Sequence, residues 1–162
     1  MEKSEKRIER QVFDLLKDKG MTFASAESCT GGNIAHFITL IPGSSEVFRG
    51  GAVTYATPTK TKVLGVPAKT IERYGVVSRE VAEAMAKGTQ KLMEADFGIA
   101  TTGVAGPSGG TEQNPVGTVW IGIATPSGIS AQCFHFGKGR RIVIRQATEA
   151  AYGMLREAIL NL

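Results

Sequence analysis

The chain is poor in the residues that build disulfide frameworks and metal sites. Its 162 residues include two cysteines, Cys29 and Cys133, and two histidines, His36 and His135. The four residues are widely scattered, so their spacing matches neither a disulfide framework nor a metal-ligand pattern. We therefore expect no structural disulfide and no bound metal.

Long hydrophobic runs are absent as well. No apolar stretch reaches the roughly 20 residues that a helix needs to cross a bilayer. The N-terminal residues alternate in charge from Glu2 to Arg10, which is typical of a solvated helix and not of a secretory signal. We therefore expect no association with a membrane and a cytoplasmic location.

The excess of positive charge is modest, with 19 Lys and Arg against 15 Asp and Glu. Most charges are interleaved, and the aromatic residues show no pattern suited to base stacking, so we expect no nucleic-acid partner. One basic run stands out, formed by Lys138, Arg140, Arg141 and Arg145. It suits a phosphate group, although a solvated helix face would look the same.

The hydrophobic pattern predicts one α/β domain over residues 1–162. A mixed, mostly parallel sheet of about five strands should carry helices on both faces. Helices are expected over 4–19, 34–41, 68–74, 78–94 and 140–160, with one more beginning at Thr57-Pro58, where Thr57 would be the N-cap. Strands are expected over 21–26, 48–55, 97–102, 118–125 and 129–136, the last two forming an antiparallel hairpin.

Three loops follow predicted strands and should meet at one edge of the sheet. They cover residues 27–32, 56–60 and 102–110. Ligands of open α/β sheets bind beyond the carboxyl ends of strands, so these loops are the expected place for a site. The loop at 103–110 is rich in glycine but lacks the Gly-Lys-Ser/Thr ending of a phosphate-binding P-loop. It fits either a phosphate cradle or an ordinary turn-rich connection.

Ser28 is a candidate nucleophile because it stands at a strand end, just before a helix N-terminus. Free backbone N–H groups there would stabilise an oxyanion. A serine at such a position can also be a simple helix cap, but Thr30 is available for capping. A nucleophilic serine needs a base, and both histidines fall inside predicted elements. Lys60, near the positive end of a helix dipole, is a candidate base, although a solvated surface lysine is the common alternative.

Two further residues belong to this hypothesis. Tyr55, at the end of a strand, is placed to relay or orient a proton. Cys29 is a rival nucleophile, because helix N-termini lower the pKa of a thiol. Neighbouring side chains on an extended segment point in opposite directions, so Ser28 and Cys29 cannot easily share the task. We expect Cys29 to be buried and inert.

Four ordered motifs together resemble the CinA C-terminal domain family, which includes stand-alone nicotinamide-nucleotide amidases. The similarity runs from about Thr22 to the final helix. The motifs are Ala-Glu-Ser-Cys-Thr-Gly-Gly at 26–32, Gly-Ala-Val-Thr-Tyr at 51–55, Thr-Gly-Val-Ala-Gly-Pro at 102–107 and Pro-Val-Gly-Thr-Val-Trp at 115–120.

The resemblance implies a three-layer α/β/α sandwich that hydrolyses nicotinamide mononucleotide (NMN) to nicotinate mononucleotide and ammonia, without a metal or other cofactor. It places the family's catalytic residues on Ser28, Tyr55 and Lys60. The substrate-binding positions that the resemblance implies are Thr30, Gly31, Gly32, Thr102, Gly103, Ala105, Gly106, Arg140 and Arg145. We also expect the protein to form a homo-oligomer.

The sequence departs from the family at one motif. Members often have Tyr-Ser-Asn before the lysine helix, whereas this chain has Tyr55-Ala56-Thr57-Pro58. The lost asparagine removes a candidate hydrogen bond to the substrate or the serine, but the spacing from Tyr55 to Lys60 is kept. A non-catalytic nucleotide-binding or regulatory module is therefore the alternative to an amidase.

Overall fold

A computed structural model of the chain describes residues 6–162. Within that range the helices are α1 (Ile8–Lys19), α2 (Asn33–Thr39), α3 (Thr57–Leu64), α4 (Ala68–Tyr74), α5 (Arg79–Leu92) and α6 (Arg140–Leu160). The strands are β1 (Phe23–Glu27), β2 (Phe48–Val53), β3 (Phe97–Gly103), β4 (Thr118–Ala124) and β5 (Ile129–His135), and a single 3₁₀ turn covers Ser44–Glu46.

The strands form one sheet in the order β2-β1-β3-β4-β5. β1 pairs in parallel with both β2 and β3, whereas β4 runs antiparallel to β3 and β5. Four of the five strands thus point the same way, and the expected mixed, mostly parallel sheet is confirmed. The carboxyl ends of β1, β2 and β3 meet at one edge.

Helices cover both faces of the sheet, which confirms the three-layer sandwich. On one face α1, α2 and α6 pack over a core that includes Phe23, Ile99 and Ile121. The buried Tyr152 hydroxyl of α6 donates a hydrogen bond to the Ile34 carbonyl of α2, which ties these helices together. On the other face α3, α4 and α5 enclose a smaller apolar cluster around Met85.

Helix α5 lies against the sheet with its backbone almost in contact. A Cβ atom added to Gly98 of β3 would lie 2.1 Å from the Ala86 carbonyl oxygen, and one added to Gly122 of β4 would lie 2.2 Å from that of Ala82. Such distances are far inside van der Waals contact. Glycine at both positions is therefore what allows this close approach.

The predicted helix ends differ from the structure in detail. The predicted start of α5 at Ser78 is confirmed, because the Ser78 hydroxyl accepts a hydrogen bond from the Val81 N–H and caps the helix. The prediction that Thr57 caps α3 is wrong: Ala56 holds the N-cap position, and Thr57 is the first helical residue. The 3₁₀ turn at Ser44–Glu46 was not expected. The start of the predicted helix 4–19 falls partly outside the described residues.

None of the helices within residues 6–162 combines the length and the apolar character needed to cross a bilayer.

Candidate active site

The fold brings Ser28 and Lys60 together at the carboxyl edge of the sheet. Ser28 follows β1, and Lys60 lies in the first turn of α3, which follows the neighbouring parallel strand β2. Because Glu27 and Val53 are paired at the ends of these strands, the two following segments emerge side by side. The Lys60 amine nitrogen lies 3.1 Å from the Ser28 hydroxyl oxygen, which is hydrogen-bonding distance.

Lys60 is a buried amine and not the solvated lysine that was its alternative. Its side chain is 1% exposed, and the Nζ atom donates a hydrogen bond to the Thr54 carbonyl oxygen at 2.5 Å. Among residues 6–162, no carboxylate lies within ion-pair distance of this amine. Burial lowers the pKa of Lys60, because the charged form of the amine loses its hydration in the protein interior. Burial therefore makes the neutral form of this amine easier to reach beside the Ser28 hydroxyl.

Cys29 does not compete with Ser28. Its side chain is buried, and burial raises the pKa of its thiol to about 12. The thiolate is the reactive form of cysteine, so this side chain is unreactive at neutral pH. The expectation of a buried Cys29 is confirmed, and its raised thiol pKa agrees with the prediction that it is inert.

A cavity of about 310 Å³ opens in front of the Ser28–Lys60 pair. Eight of the residues singled out from the sequence line it: Ser28, Tyr55, Lys60, Thr102, Gly103, Ala105, Gly106 and Arg140. Cys29, Thr57, Val76, Val77, Val104, Ser108 and Gly109 complete the lining. Residues from three separate loops thus meet around one candidate nucleophile, as the sheet topology predicts.

Arg140 links two sides of this cavity. One guanidinium nitrogen donates to the Gly106 carbonyl at 2.7 Å, and the other terminal nitrogen donates to the Tyr55 hydroxyl oxygen at 2.8 Å. Tyr55 is 58% exposed, and its hydroxyl has no hydrogen bond to Ser28 or Lys60 within the described part of the chain. Tyr55 therefore faces the cavity mouth together with a fixed positive charge.

Four predicted substrate-binding residues lie outside the cavity lining: Thr30, Gly31, Gly32 and Arg145. Thr30 is 2% exposed, and its hydroxyl contacts the carboxylate of Glu27 and the hydroxyl of Thr101. Arg145 is exposed on the surface of α6. The Thr30 and Arg145 side chains therefore do not line the cavity, and Gly31 contacts Ser28 only through its amide, which donates to the Ser28 carbonyl at 3.1 Å.

The N-terminus of α2 is already occupied, contrary to the expectation of free N–H groups there. The buried Glu27 carboxylate accepts hydrogen bonds from the amides of Ile34 and Ala35, at 2.9 and 3.2 Å. Glu27 is thus the residue that caps this helix, and the prediction that Thr30 caps it is wrong. The sequence did carry a signal, because Gly32 at the N-cap has no side chain and a lone acid ends a buried strand.

Other backbone N–H groups around the cavity are available. Within residues 6–162, the amides of Ala105 and Gly106 have no protein acceptor. Both residues line the cavity, so their amides are candidate donors to an oxyanion.

The segment Val76–Val77, between α4 and α5, lines the cavity and was missed by sequence reasoning. The Thr102 hydroxyl holds it by donating to the Val76 carbonyl at 2.8 Å. No local pattern marks two valines between short helices as part of a site. Only the topology brings them there.

A larger groove of about 1040 Å³ runs between α3 and α5 on the outside of the molecule. Its walls include Lys62, Val63, Glu83 and Leu92, and it lacks a nucleophile paired with a base. Within residues 6–162, no cluster of three His, Cys, Asp or Glu side chains is arranged to hold a metal ion. The smaller cavity is therefore the candidate active site.

Two protein relatives have sequences similar to this one over most of its length. The "Putative competence-damage inducible protein" of Caldicellulosiruptor saccharolyticus is 45% identical over 154 residues, which cover 95% of this chain and 38% of the relative. The "Nicotinamide-nucleotide amidohydrolase PncC" of Shewanella oneidensis is 44% identical over 155 residues, which cover 95% and 37%. The chain spans less than two fifths of the length of these curated relatives.

Solved structures with the same fold match nearly end to end. A CinA superfamily protein from Klebsiella pneumoniae superposes with a TM-score of 0.92 at 32% identity, covering 96% of this chain and 97% of the other. The competence/damage inducible protein CihA from Agrobacterium tumefaciens gives a TM-score of 0.89 at 36% identity, covering 98% and 99%. The family model described as "CinA C-terminal domain" matches residues 5–159. The protein belongs to the CinA C-terminal domain family.

Proposed function

We propose that this protein hydrolyses the carboxamide of NMN, with Ser28 as nucleophile and Lys60 as general base. The observation that carries the proposal is the 3.1 Å contact between the Ser28 hydroxyl and a buried amine that has no carboxylate partner among residues 6–162. The name of the Shewanella oneidensis relative supports the same reaction.

In the acylation step the Ser28 oxygen attacks the carboxamide carbon while Lys60 takes the hydroxyl proton. This requires the neutral amine, which burial favours by lowering the pKa of Lys60. The hydrogen bond from Lys60 to the Thr54 carbonyl uses one N–H of the amine and leaves its lone pair free for Ser28. The positively charged pyridinium ring withdraws electrons from the carboxamide and makes its carbon more electrophilic.

The tetrahedral intermediate carries a negative charge on the former carbonyl oxygen. The free amides of Ala105 and Gly106 are the proposed donors to this oxygen. Removing one such donor typically raises the barrier by about 2.7–4 kcal/mol. The intermediate then collapses: the protonated Lys60 returns its proton to the leaving nitrogen, ammonia departs, and an ester joins Ser28 to the nicotinoyl group.

Deacylation repeats the same chemistry with water. Lys60 takes a proton from water as the water oxygen attacks the ester carbon, and the proton then passes to the departing Ser28 oxygen. Nicotinate mononucleotide is released and both side chains return to their starting states. A neutral Lys60 also avoids repulsion with the cationic ring of the substrate.

Arg140 is the proposed contact for the substrate phosphate. Its guanidinium stands at the cavity mouth and has N–H groups beyond the two that bind Gly106 and Tyr55. A phosphate at this place would put the nicotinamide end of the nucleotide toward Ser28. Tyr55 shares this mouth, so its role is proposed to be orientation of the bound nucleotide and Arg140.

The test is ammonia release from NMN by the wild type and by two neighbouring variants, Ser28→Ala and Cys29→Ala. Ser28→Ala should lose at least about 10³-fold in kcat, because the nucleophile is gone. Cys29→Ala is the matched control and should keep most of the activity. Loss of activity in Cys29→Ala with retention in Ser28→Ala would overturn the assignment.

Binding of NMN, measured by calorimetry on the same three proteins, separates the two functional hypotheses. An amidase should show binding in all three and turnover in two. If the wild type binds NMN but releases no ammonia, the amidase proposal fails and the non-catalytic nucleotide-binding module takes its place.

A further inference from the structure

Glu27 is a buried acid that the proposed chemistry does not use. It is the last residue of β1, directly before Ser28, and its side chain is 1% exposed. Successive side chains on a strand point to opposite faces, so the Glu27 carboxylate and the Ser28 hydroxyl point away from each other. Glu27 is not part of the cavity lining. Glu27 is therefore not placed to contact a molecule bound in this cavity.

Three donors converge on the Glu27 carboxylate. Oε1 accepts from the Thr30 hydroxyl at 2.6 Å and from the Ile34 amide at 2.9 Å, and Oε2 accepts from the Ala35 amide at 3.2 Å. No cation of residues 6–162 forms an ion pair with it. Its charge is met instead by the positive end of α2 and by a hydroxyl, which are charge-assisted hydrogen bonds.

These bonds span the turn that contains Ser28. The turn leaves β1 and enters α2 through Gly31 and Gly32, which both have positive φ angles, +64° and +106°. Glycines in this region give the backbone freedom that something else must restrict. The Glu27 side chain restricts it by joining the end of β1 to the start of α2, seven and eight residues along the chain.

The same network reaches the neighbouring strand. The Thr30 hydroxyl lies 2.8 Å from the Thr101 hydroxyl of β3, and the Ser28 amide donates to the Thr101 carbonyl at 3.1 Å. On the other side, the Thr54 amide donates to the Glu27 carbonyl at 3.0 Å, and the Thr54 carbonyl binds the Lys60 amine. Glu27 thus connects the turn of the nucleophile to the strand end that holds the base.

We infer that Glu27 is a positioning residue, whose carboxylate fixes the turn after β1 so that Ser28 stays within hydrogen-bonding distance of Lys60. This inference rests on the proposed roles of Ser28 and Lys60. Thr30 is one of the three donors to the Glu27 carboxylate, and it does not line the cavity.

The first test is the kinetics of Glu27→Gln with NMN. The amide keeps the size of the side chain, but its NH₂ group would face an N–H or O–H donor and break part of the network. A displacement of about 1 Å can cost on the order of 100-fold in rate, so we expect kcat per folded molecule to fall about 100-fold. KM should change less than about threefold, because Glu27 does not touch the substrate.

Thr30 provides a matched pair of variants. Thr30→Val removes one donor at nearly constant shape and should lower kcat about tenfold, whereas Thr30→Ser keeps the hydroxyl and should restore most of the rate. In the double variant Glu27→Gln/Thr30→Val the losses should not add, since both act on one network. Thr89→Val is the stability control, because it removes a buried hydrogen bond to the Ser25 carbonyl on β1 without touching the turn.

The second test measures position directly. In crystal structures of the wild type and Glu27→Gln, the distance from Ser28 Oγ to Lys60 Nζ should lengthen beyond 3.5 Å in the variant. If the wild type releases no ammonia but this distance still lengthens, the amidase proposal fails and the positioning role stands. The inference is overturned if the distance is unchanged, or if Glu27→Gln lowers activity only in proportion to its folded fraction, as Thr89→Val should.

Discussion

The parallel half of the sheet (β1, β2 and β3) and its antiparallel half (β4 and β5) differ in what they position. In the parallel half, β1 and β2 end beside each other, and the residues that follow them bring Ser28 and Lys60 to 3.1 Å. In the antiparallel half, β4 carries Gly122 beneath the backbone of α5 and apolar residues on its other side. Parallel neighbours release their loops at one edge, which makes that edge suitable for a site. The comparison predicts that substitutions in the first half change catalysis and those in the second change stability.

The largest effect should follow from Lys60→Met. Methionine fills the same buried space but cannot accept a proton, so we expect kcat for ammonia release to fall at least about 10³-fold with the fold retained. Lys62→Met, two residues along α3 and exposed, is the matched control and should behave as the wild type. Equal activity in Lys60→Met and Lys62→Met would show that Lys60 is not the catalytic base.

The pH dependence of kcat/KM is a second test of Lys60 as the catalytic base. A protonated Lys60 cannot act as a base, so activity should fall as the pH drops through the pKa of this amine. Because burial lowers the pKa of Lys60, the fall should have its midpoint below the ordinary lysine value of about 10.4. A rate profile from about pH 5 to 11 tests this. A midpoint at the ordinary lysine value would argue against a buried base.

A loss of stability should result from Gly122→Ala in the antiparallel half. The new methyl group would lie 2.2 Å from the Ala82 carbonyl oxygen, so α5 must move away from the sheet. We expect the free energy of unfolding, measured with urea, to fall by about 2–3 kcal/mol. Activity per folded molecule should stay near that of the wild type. Gly128→Ala, in open space between β4 and β5, should be nearly neutral and serves as the control.

A smaller effect is expected for Arg140→Ala, at the start of α6, a helix that belongs to neither half of the sheet. Losing the contact at the cavity mouth should raise KM for NMN about tenfold, equivalent to about 1.4 kcal/mol, with a smaller change in kcat. Arg145→Ala should leave both constants unchanged, because Arg145 is exposed and outside the cavity lining. If Arg145→Ala had the larger effect, the phosphate contact would have to be moved along α6.

Most of the fold could be predicted from the sequence because its signals are local. The predicted helices 4–19 and 78–94 have these limits for a local reason, since Gly20 caps the end of α1 and Ser78 caps the start of α5. The start of α3 was misjudged by one residue, because proline is tolerated in any position of the first turn. Periodicity is a property of neighbouring residues, so it survives without tertiary information.

The candidate site was predictable only where a motif follows a strand. Ser28 and Lys60 stand at such places, and the parallel pairing of β1 and β2 brings them together. The contact of Arg140 with Tyr55 joins residues 85 positions apart, and no local pattern encodes it. The role of Glu27 as the cap of α2 was also not predicted. Caps are expected at the N-cap position itself, whereas Glu27 accepts from the Ile34 amide seven residues further along the chain.

The burial of the Lys60 amine also has a thermodynamic consequence for the whole protein. In the unfolded chain this amine is hydrated and keeps its ordinary proton affinity, whereas in the folded chain burial lowers the pKa of Lys60. Between those two pKa values the unfolded state binds more protons, so the folded state gains stability as the pH rises through this interval. At pH values below this interval, burial of the Lys60 amine lowers the free energy of unfolding. The residue proposed as the catalytic base therefore destabilises the folded protein.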